Sequence, residues 1–172
     1  KLIKYLNKEN IFNKIIINNA CIDPKPTKKN NKVVNLKSWD LEFNVGLKAP
    51  YLLIEYLSKQ MIREKSGCIN NISSDLSIIA PNQSIYKSSY KNFVKPVTYS
   101  IIKHGLVGMT KYYAALYASH GITCNAISPV GIFNNQDKRF VKELKKLIPM
   151  NRMAEKSDIK NVIDFLINKK QK

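Results

Sequence analysis

Residues 71–103 read NISSDLSIIAPNQSIYKSSYKNFVKPVTYSIIK, and the way this stretch begins and ends decides the fold. A short apolar run from Cys68 closes on Ser73 and Ser74, and Pro96 opens a periodic apolar segment carrying Tyr99 and, four residues later, Lys103. A short run bounded by turn residues reads as a buried strand, a long periodic one as a helix, and Pro suits a helix's first turn. Residues four apart share a helix face, so Tyr99 and Lys103 meet there. The helix should run to about His120 and close at Gly121, with Gly105 and Gly108 marking a face open to another helix. Between strand and helix, residues 75–96 form a long polar loop, and loops of about twenty residues in compact domains usually carry function.

The same alternation extends outward. Upstream, Lys14 to Ile17 is an apolar run ending in Asn18-Asn19-Ala20-Cys21, and downstream Ile122 to Ile127 is another, ending in Ser128-Pro129-Val130-Gly131. The first two runs are joined by a helix signalled by Ser38 as N-cap, Asp40 in its first turn, apolar positions from Phe43 to Met61, a kink at Pro50 and an end at Gly67. Asn44 lies on this helix. Residues 1–10 have the spacing of a helix tail, residues 23–35 read as a surface loop, and Phe140 to Leu147 and Asp158 to Ile167 read as two more helices. Strand and helix in turn imply one α/β domain over residues 1–172 with a parallel sheet, whose ligands bind at the carboxyl ends of the strands.

Composition excludes some functions. A net charge of +17 suggests an anionic partner, yet arginine occurs only at 63, 139 and 152 among 26 lysines. Nucleic-acid surfaces favour clustered Arg interleaved with aromatics, so a solvated lysine surface is the expectation and nucleic acid is not. The apolar run at Ile15-Ile16-Ile17 is too short to span a bilayer, and no signal peptide opens the chain, so no membrane role and a cytoplasmic location are expected. Cys21, Cys68 and Cys124 are widely spaced without CxxC or clustered His, and read as reduced thiols with no metal among them.

The chemistry rests on Tyr99. With nine tyrosines and 26 lysines, one such pair arises by chance, and what singles this one out is its order between strands that end in polar or small residues. A cation about 4.5 Å from a phenol at an effective dielectric near 20 favours phenolate by roughly 3 to 4 kcal/mol, or about 2 to 3 pKa units. Tyr99 is therefore expected to titrate near neutrality and to trade a proton with a carbonyl or alcohol oxygen as hydride moves, with Ser74 holding that oxygen.

In this order the residues resemble the short-chain dehydrogenase/reductase family over nearly the whole chain. Asn18-Asn19-Ala20 is similar to the motif closing its fourth strand, Asn44 to its helix asparagine, Asn71-Ile72-Ser73-Ser74 to the strand bearing its serine, and Tyr99 with Lys103 to its Tyr-x-x-x-Lys pair. Ser128-Pro129 resembles the turn near the nicotinamide. The resemblance implies an NAD- or NADP-dependent oxidoreductase acting on a small carbonyl/alcohol substrate. Tyr99 would be the acid/base, Ser74 the orienting hydroxyl with Ser73 as its alternative, Lys103 partner of Tyr99 and ribose ligand, and Asn44 holder of a relay water. Asn18, Ala20, Pro129 and Ile132 would line the cofactor cleft, and two long helices would pair subunits into a homo-oligomer. The turns at Ala20–Pro24 and Gly131–Gln136 resemble a bacterial branch linked to flagellin modification and surface sugars.

Departures accompany the resemblance. Cys21 and Val130 stand where the motifs have Gly, and with Gly only at 46, 67, 105, 108, 121 and 131 there is no Gly-rich phosphate turn. The expected architecture is thus an incomplete, Rossmann-like doubly wound sheet, without the first strands that carry that turn and without the last strand. Two functions remain open: an oxidoreductase of that family, with an oxoacyl-carrier-protein reductase-like activity as a further variant, or a catalytically silent piece serving as a helix-pairing module.

Overall fold

A computed structural model describes Tyr5, Lys8 and residues 14–23, 36–87, 89–90 and 93–168. The helix tail expected over residues 1–10, those two residues apart, and nearly all of the loop expected over 23–35 lie outside the described residues. Strands β1 (Ile15–Asn18), β2 (Gly67–Ile72) and β3 (Ile122–Ile127) form a parallel sheet in the order β1-β2-β3. Register places Ile16 beside Ile69 beside Cys124, and Asn18 beside Asn71 beside Ala126. This is the expected α/β, Rossmann-like arrangement of parallel strands and helical crossovers.

Parallel neighbours need long crossovers. The first runs through α1 (Leu36–Phe43), a π-helical turn (Asn44–Lys48) and α2 (Ala49–Arg63). The second passes a 3-10 turn (Asp75–Ser77) and the short α3 (Ser84–Lys87) before α4 (Val97–Tyr117), which a 3-10 turn extends to His120. Beyond β3 lie α5 (Lys138–Leu147) and α6 (Lys156–Ile167). The main core joins one sheet face to α2 and α4, with Ile16, Ile69, Ile122 and Cys124 meeting Ile54, Met61, Tyr113 and Tyr117. Ile54 and Ile69 are fully buried, each worth roughly 1.5–3 kcal/mol over exposure, and cutting Ile69 back to Ala would cost about 2–5 kcal/mol. On the other face the Cys68 thiol donates to the Leu166 carbonyl of α6 at 3.4 Å, while Ile15 and Ile17 of β1 remain 43% exposed. The three cysteines are free, with Cys68 and Cys124 buried.

Several boundaries differ from expectation. α1 already runs at Leu36, so Ser38 sits inside it rather than at its cap. The helix interruption is not a kink at Pro50 but the π turn just ahead of it, where the Ala49 N–H reaches back to the Asn44 carbonyl. Pro50 has no N–H to give the preceding turn, and a widened turn accommodates that loss. α2 ends at Arg63, because Lys65 turns the chain at φ 46 and Gly67 already belongs to β2. Gly121 does end its helix as expected, at φ 66, where a Cβ would stand 2.6 Å from the Lys65 carbonyl oxygen. Of the two glycines of α4, Gly105 packs against Leu47 of the π turn, and a Cβ built at Gly108 would meet open space.

The loop expected over 75–96 is partly structured. Asn82 accepts from the Ser84 N–H at 3.0 Å and so starts α3. Tyr86 then stacks on Phe140 of α5 and meets Phe93, while the Ser89 hydroxyl donates to Asp137 at 2.5 Å. This aromatic cluster joins the segment to α5 and makes the two a cover over the carboxyl edge of the sheet.

Candidate active site

A cavity of ≈ 490 Å³ opens at that edge, between the ends of the strands and the cover. Ser74, Tyr99 and Lys103 all line it, as do Pro129 and Ile132. β2 delivers Ser74 because the strand ends at Ile72, and α4 delivers Tyr99 from its first turn and Lys103 from the next. Lys103 is only 3% exposed; its ammonium donates to the Ile72 carbonyl at 2.8 Å and lies 5.5 Å from the centre of the Tyr99 ring.

The two serines part company here. The Ser73 hydroxyl, 3% exposed, donates to the Lys103 carbonyl at 2.8 Å and ties β2 to α4. The Ser74 hydroxyl donates to Asp75 Oδ1 at 2.7 Å, accepts from the Leu76 N–H at 3.2 Å, and lies within hydrogen-bonding reach of the Tyr99 phenol.

The electrostatics correct one expectation. Instead of falling towards neutrality, the Tyr99 phenol is pushed up to about 12. Burial is the largest cause; the Ser74 hydrogen bond works against it, and Asp23, Cys21 and Asp75 add to it. Lys103 does not outweigh these, and burial disfavours its own charge, holding its pKa below the usual lysine value. Cys21 and Asp23 pull that value back up.

Two expected residues stand elsewhere. Asn44 is exposed at the head of the π turn, and its place is not among the cavity's lining residues. Asn18 is 6% exposed and its amide points along the sheet rather than into the cleft: Nδ2 donates to Asn71 Oδ1 at 2.7 Å, and Asn71 Nδ2 donates to Thr110 Oγ1 at 2.8 Å. Its neighbour Asn19 is the one that lines the cavity. A strand alternates its faces, so a shift of one residue moves a side chain from core to cleft. Ala20 is exposed just past β1. The turn carrying Pro129 is held by the Asp75 N–H donating to the Pro129 carbonyl at 3.0 Å, and Ile132 is bridged to Ala154, with its carbonyl accepting from Gln136 Nε2 at 2.8 Å.

Sequence reasoning missed Lys95, Asp23 and Asp75, all of which line the cavity, and the apolar wall that α5 and the segment after it provide through Phe140, Leu144 and Met153. One signal was available: Lys95 precedes Tyr99 by the same four residues by which Lys103 follows it. Among the described residues no group of His, Cys, Asp and Glu is placed to hold a metal ion, and no helix is long and apolar enough to cross a membrane.

Comparison with known proteins agrees with this geometry. The family described as Enoyl-(Acyl carrier protein) reductase matches residues 3–172. A 3-oxoacyl-(acyl-carrier-protein) reductase of Staphylococcus epidermidis is 31% identical over 165 residues, 92% of this chain and 60% of that protein. The Buchnera aphidicola protein of the same description is 34% identical over 162 residues, 91% of this chain and 59% of that one. The chain thus spans about 60% of the length of the curated relatives it matches. The crystal structure of a short chain dehydrogenase from Leptospira borgpetersenii with bound NAD+ superposes with a TM-score of 0.83 at 27% identity, covering 99% of this chain and 63% of that one. Strand order, the serine-to-tyrosine-to-lysine sequence along one sheet edge and these matches together make the chain a member of the short-chain dehydrogenase/reductase family.

Proposed function

We propose that these residues belong to an NAD(P)-dependent oxidoreductase that interconverts a carbonyl and an alcohol. The observation that carries this reading is the convergence of Ser74, Tyr99 and Lys103 on one cavity at the carboxyl edge of the sheet. Tyr99 exchanges a proton with the substrate oxygen, Ser74 holds that oxygen by a hydrogen bond, and Lys103 supplies the ammonium that ionisation of a buried phenol requires. The donor set suits the nicotinamide-ribose end of a dinucleotide: Lys103 and Tyr99 would offer hydrogen bonds to its ribose hydroxyls, and Asn19, Pro129 and Ile132, which line the same cavity, would help to hold it. The bound dinucleotide supplies the hydride. Neither Asn18 nor the Asn44 side chain is assigned a part in that chemistry. The NAD+ carried by the Leptospira neighbour supports this cofactor class.

The wall opposite Ser74 and Tyr99 is apolar, built from Ile79, Ile85, Phe140, Leu144, Ile148 and Met153. Such a wall favours a carbonyl with an acyl arm over the sugar suggested by resemblance to the flagellin-modification branch, and the two named reductases support the acyl reading. Subunit pairing is assigned to α2 and α4, whose Tyr51, Leu52, Tyr56, Ile101, Tyr112 and Leu116 are exposed apolar groups.

The test is turnover of the intact protein with NADH or NADPH on a 3-oxoacyl thioester and on a keto sugar, beside its Tyr99→Phe variant. Thioester reduction that collapses in Tyr99→Phe is expected, and undiminished turnover in the variant overturns the mechanism. A silent, helix-pairing role is favoured by one observation, the lack of a Gly-rich turn among the described residues. Micromolar binding of NADH or NADPH by the 172-residue chain would dismiss it.

A further inference from the structure

Tyr99 has a second ammonium. Lys95 Nζ lies 3.8 Å from the centre of the Tyr99 ring, closer than the 5.5 Å of Lys103. A lysine at a cavity rim ordinarily swings free, but this one is fixed at both ends. Its N–H donates to Gln83 Oε1 at 2.9 Å, its carbonyl accepts from Gln83 Nε2 at 3.3 Å, and the following Pro96 restricts its backbone. Its head donates to both oxygens of Asp23, at 2.5 and 2.7 Å. The Lys95 side chain is 9% exposed and that of Asp23 43%, so the lysine is buried at the ring while the aspartate faces the mouth.

We propose that Asp23 and Lys95 are positioning residues that act through Tyr99: the ammonium favours the phenolate, the carboxylate withholds that favour, and their balance sets the pH at which the phenol exchanges its proton. The inference rests on the reading of Tyr99 as the proton-transfer group. An ammonium on a ring face is attracted to the neutral phenol by the ring's quadrupole and to the phenolate by its full charge, so its presence favours ionisation. A carboxylate bonded to that ammonium opposes the effect, and Asp23 raises the Tyr99 phenol. Removing either member alone therefore unmasks the other, and the two removals act with opposite sign.

The other groups facing Tyr99 stay unchanged in such a test. They are Lys103 on the same helix, Cys21 beyond β1, Ser74 and Asp75 beyond β2, and Tyr86 on α3. One of them is a ready reporter. The Cys21 thiol feels Asp23 pushing its pKa up and Lys95 pushing it down, and it is half-buried where Cys68 and Cys124 are buried.

The experiment uses the intact protein with Asp23→Asn, Lys95→Gln, Lys95→Arg and the Asp23→Asn/Lys95→Gln double variant. Alkylation of Cys21 by iodoacetamide at pH 8, followed by peptide mass spectrometry, should run about three- to ten-fold faster in Asp23→Asn and slower by a similar factor in Lys95→Gln. The double variant should return to within about two-fold of the parent, by cancellation of the two charges. Rates that move the same way, or not at all, overturn the proposal. In alcohol oxidation the acid limb of the turnover profile should move down by about half a unit to one unit in Asp23→Asn, up in Lys95→Gln, and stay in place in Lys95→Arg. A limb that stays put in both neutral variants, beside an inactive Tyr99→Phe, overturns this inference alone. Full turnover in Tyr99→Phe overturns the reading of Tyr99 and this inference with it.

Discussion

The two ends of α4 hold tyrosines in opposite circumstances. At the first turn Tyr99 borders the cavity, with Lys95 over its ring and the Ser74 hydroxyl in reach. At the last turns Tyr113 and Tyr117 lie 3% and 6% exposed in the core, Tyr113 donating to the Glu55 carboxylate and Tyr117 sharing a 3.0 Å hydrogen bond with Ser58. Burial pushes all three phenols up, and at Tyr113 the Glu55 carboxylate adds to the push. A raised pKa therefore does not by itself mark chemistry. What distinguishes Tyr99 is an open cavity, two ammonium groups and a second hydroxyl at the same place.

The strongest way to break this contrast is to remove one hydroxyl at each end. Tyr99→Phe should cut turnover by about 10²–10⁴-fold, whereas Tyr113→Phe should leave kcat within a few-fold; equal losses would erase the distinction. The adjacent serines offer the next largest effect. Ser74→Ala should lower kcat by about 10²-fold through the lost hydrogen bond to the substrate oxygen, while Ser73→Ala should act on the β2–α4 tie and spare kcat. A reversed order would show that the catalytic hydroxyl is Ser73. A smaller effect is structural: Tyr113→Phe should lower unfolding free energy in urea by about 1 kcal/mol, because the Glu55 carboxylate loses its donor.

A last effect is confined to alkaline pH. The folded phenol of Tyr99, near 12, lies above the ordinary value of about 10. Its protonated form therefore contributes stability in full below about pH 10, and that contribution is lost as pH climbs through about 12. Urea midpoints followed over that window should fall less steeply in Tyr99→Phe than in the parent.

Much of the fold could be read from the order of apolar runs. Parallel strands leave near-continuous apolar stretches, and the runs at Ile15, Cys68 and Ile122 became the three strands, the edge strand keeping Ile15 and Ile17 partly exposed. Their ends also located the cavity. Local bonding decided what the sequence left ambiguous. The π turn arises where Pro50 withholds an N–H and Gly46 presses on Ile102, with a Cβ there only 2.5 Å from Ile102 Cγ2, a long-range approach that no local pattern announces. Similarly, Asn18 and Asn19 look alike as letters, and only strand register settles which amide enters the cleft. The expected acidity of Tyr99 failed because spacing along the helix fixed the face of Lys103 but not the burial that raises the phenol.

The chain of amides from Asn18 through Asn71 to Thr110, whose hydroxyl ends on the Leu106 carbonyl at 2.7 Å, works as a crossbar between the edge strand, the middle strand and α4. A slide of that helix by even one turn would break its link to Asn71. Tyr99 and Lys103 are thereby riveted to the floor of the molecule. The roof is held separately, by the stacking of Tyr86 of α3 on Phe140 of α5.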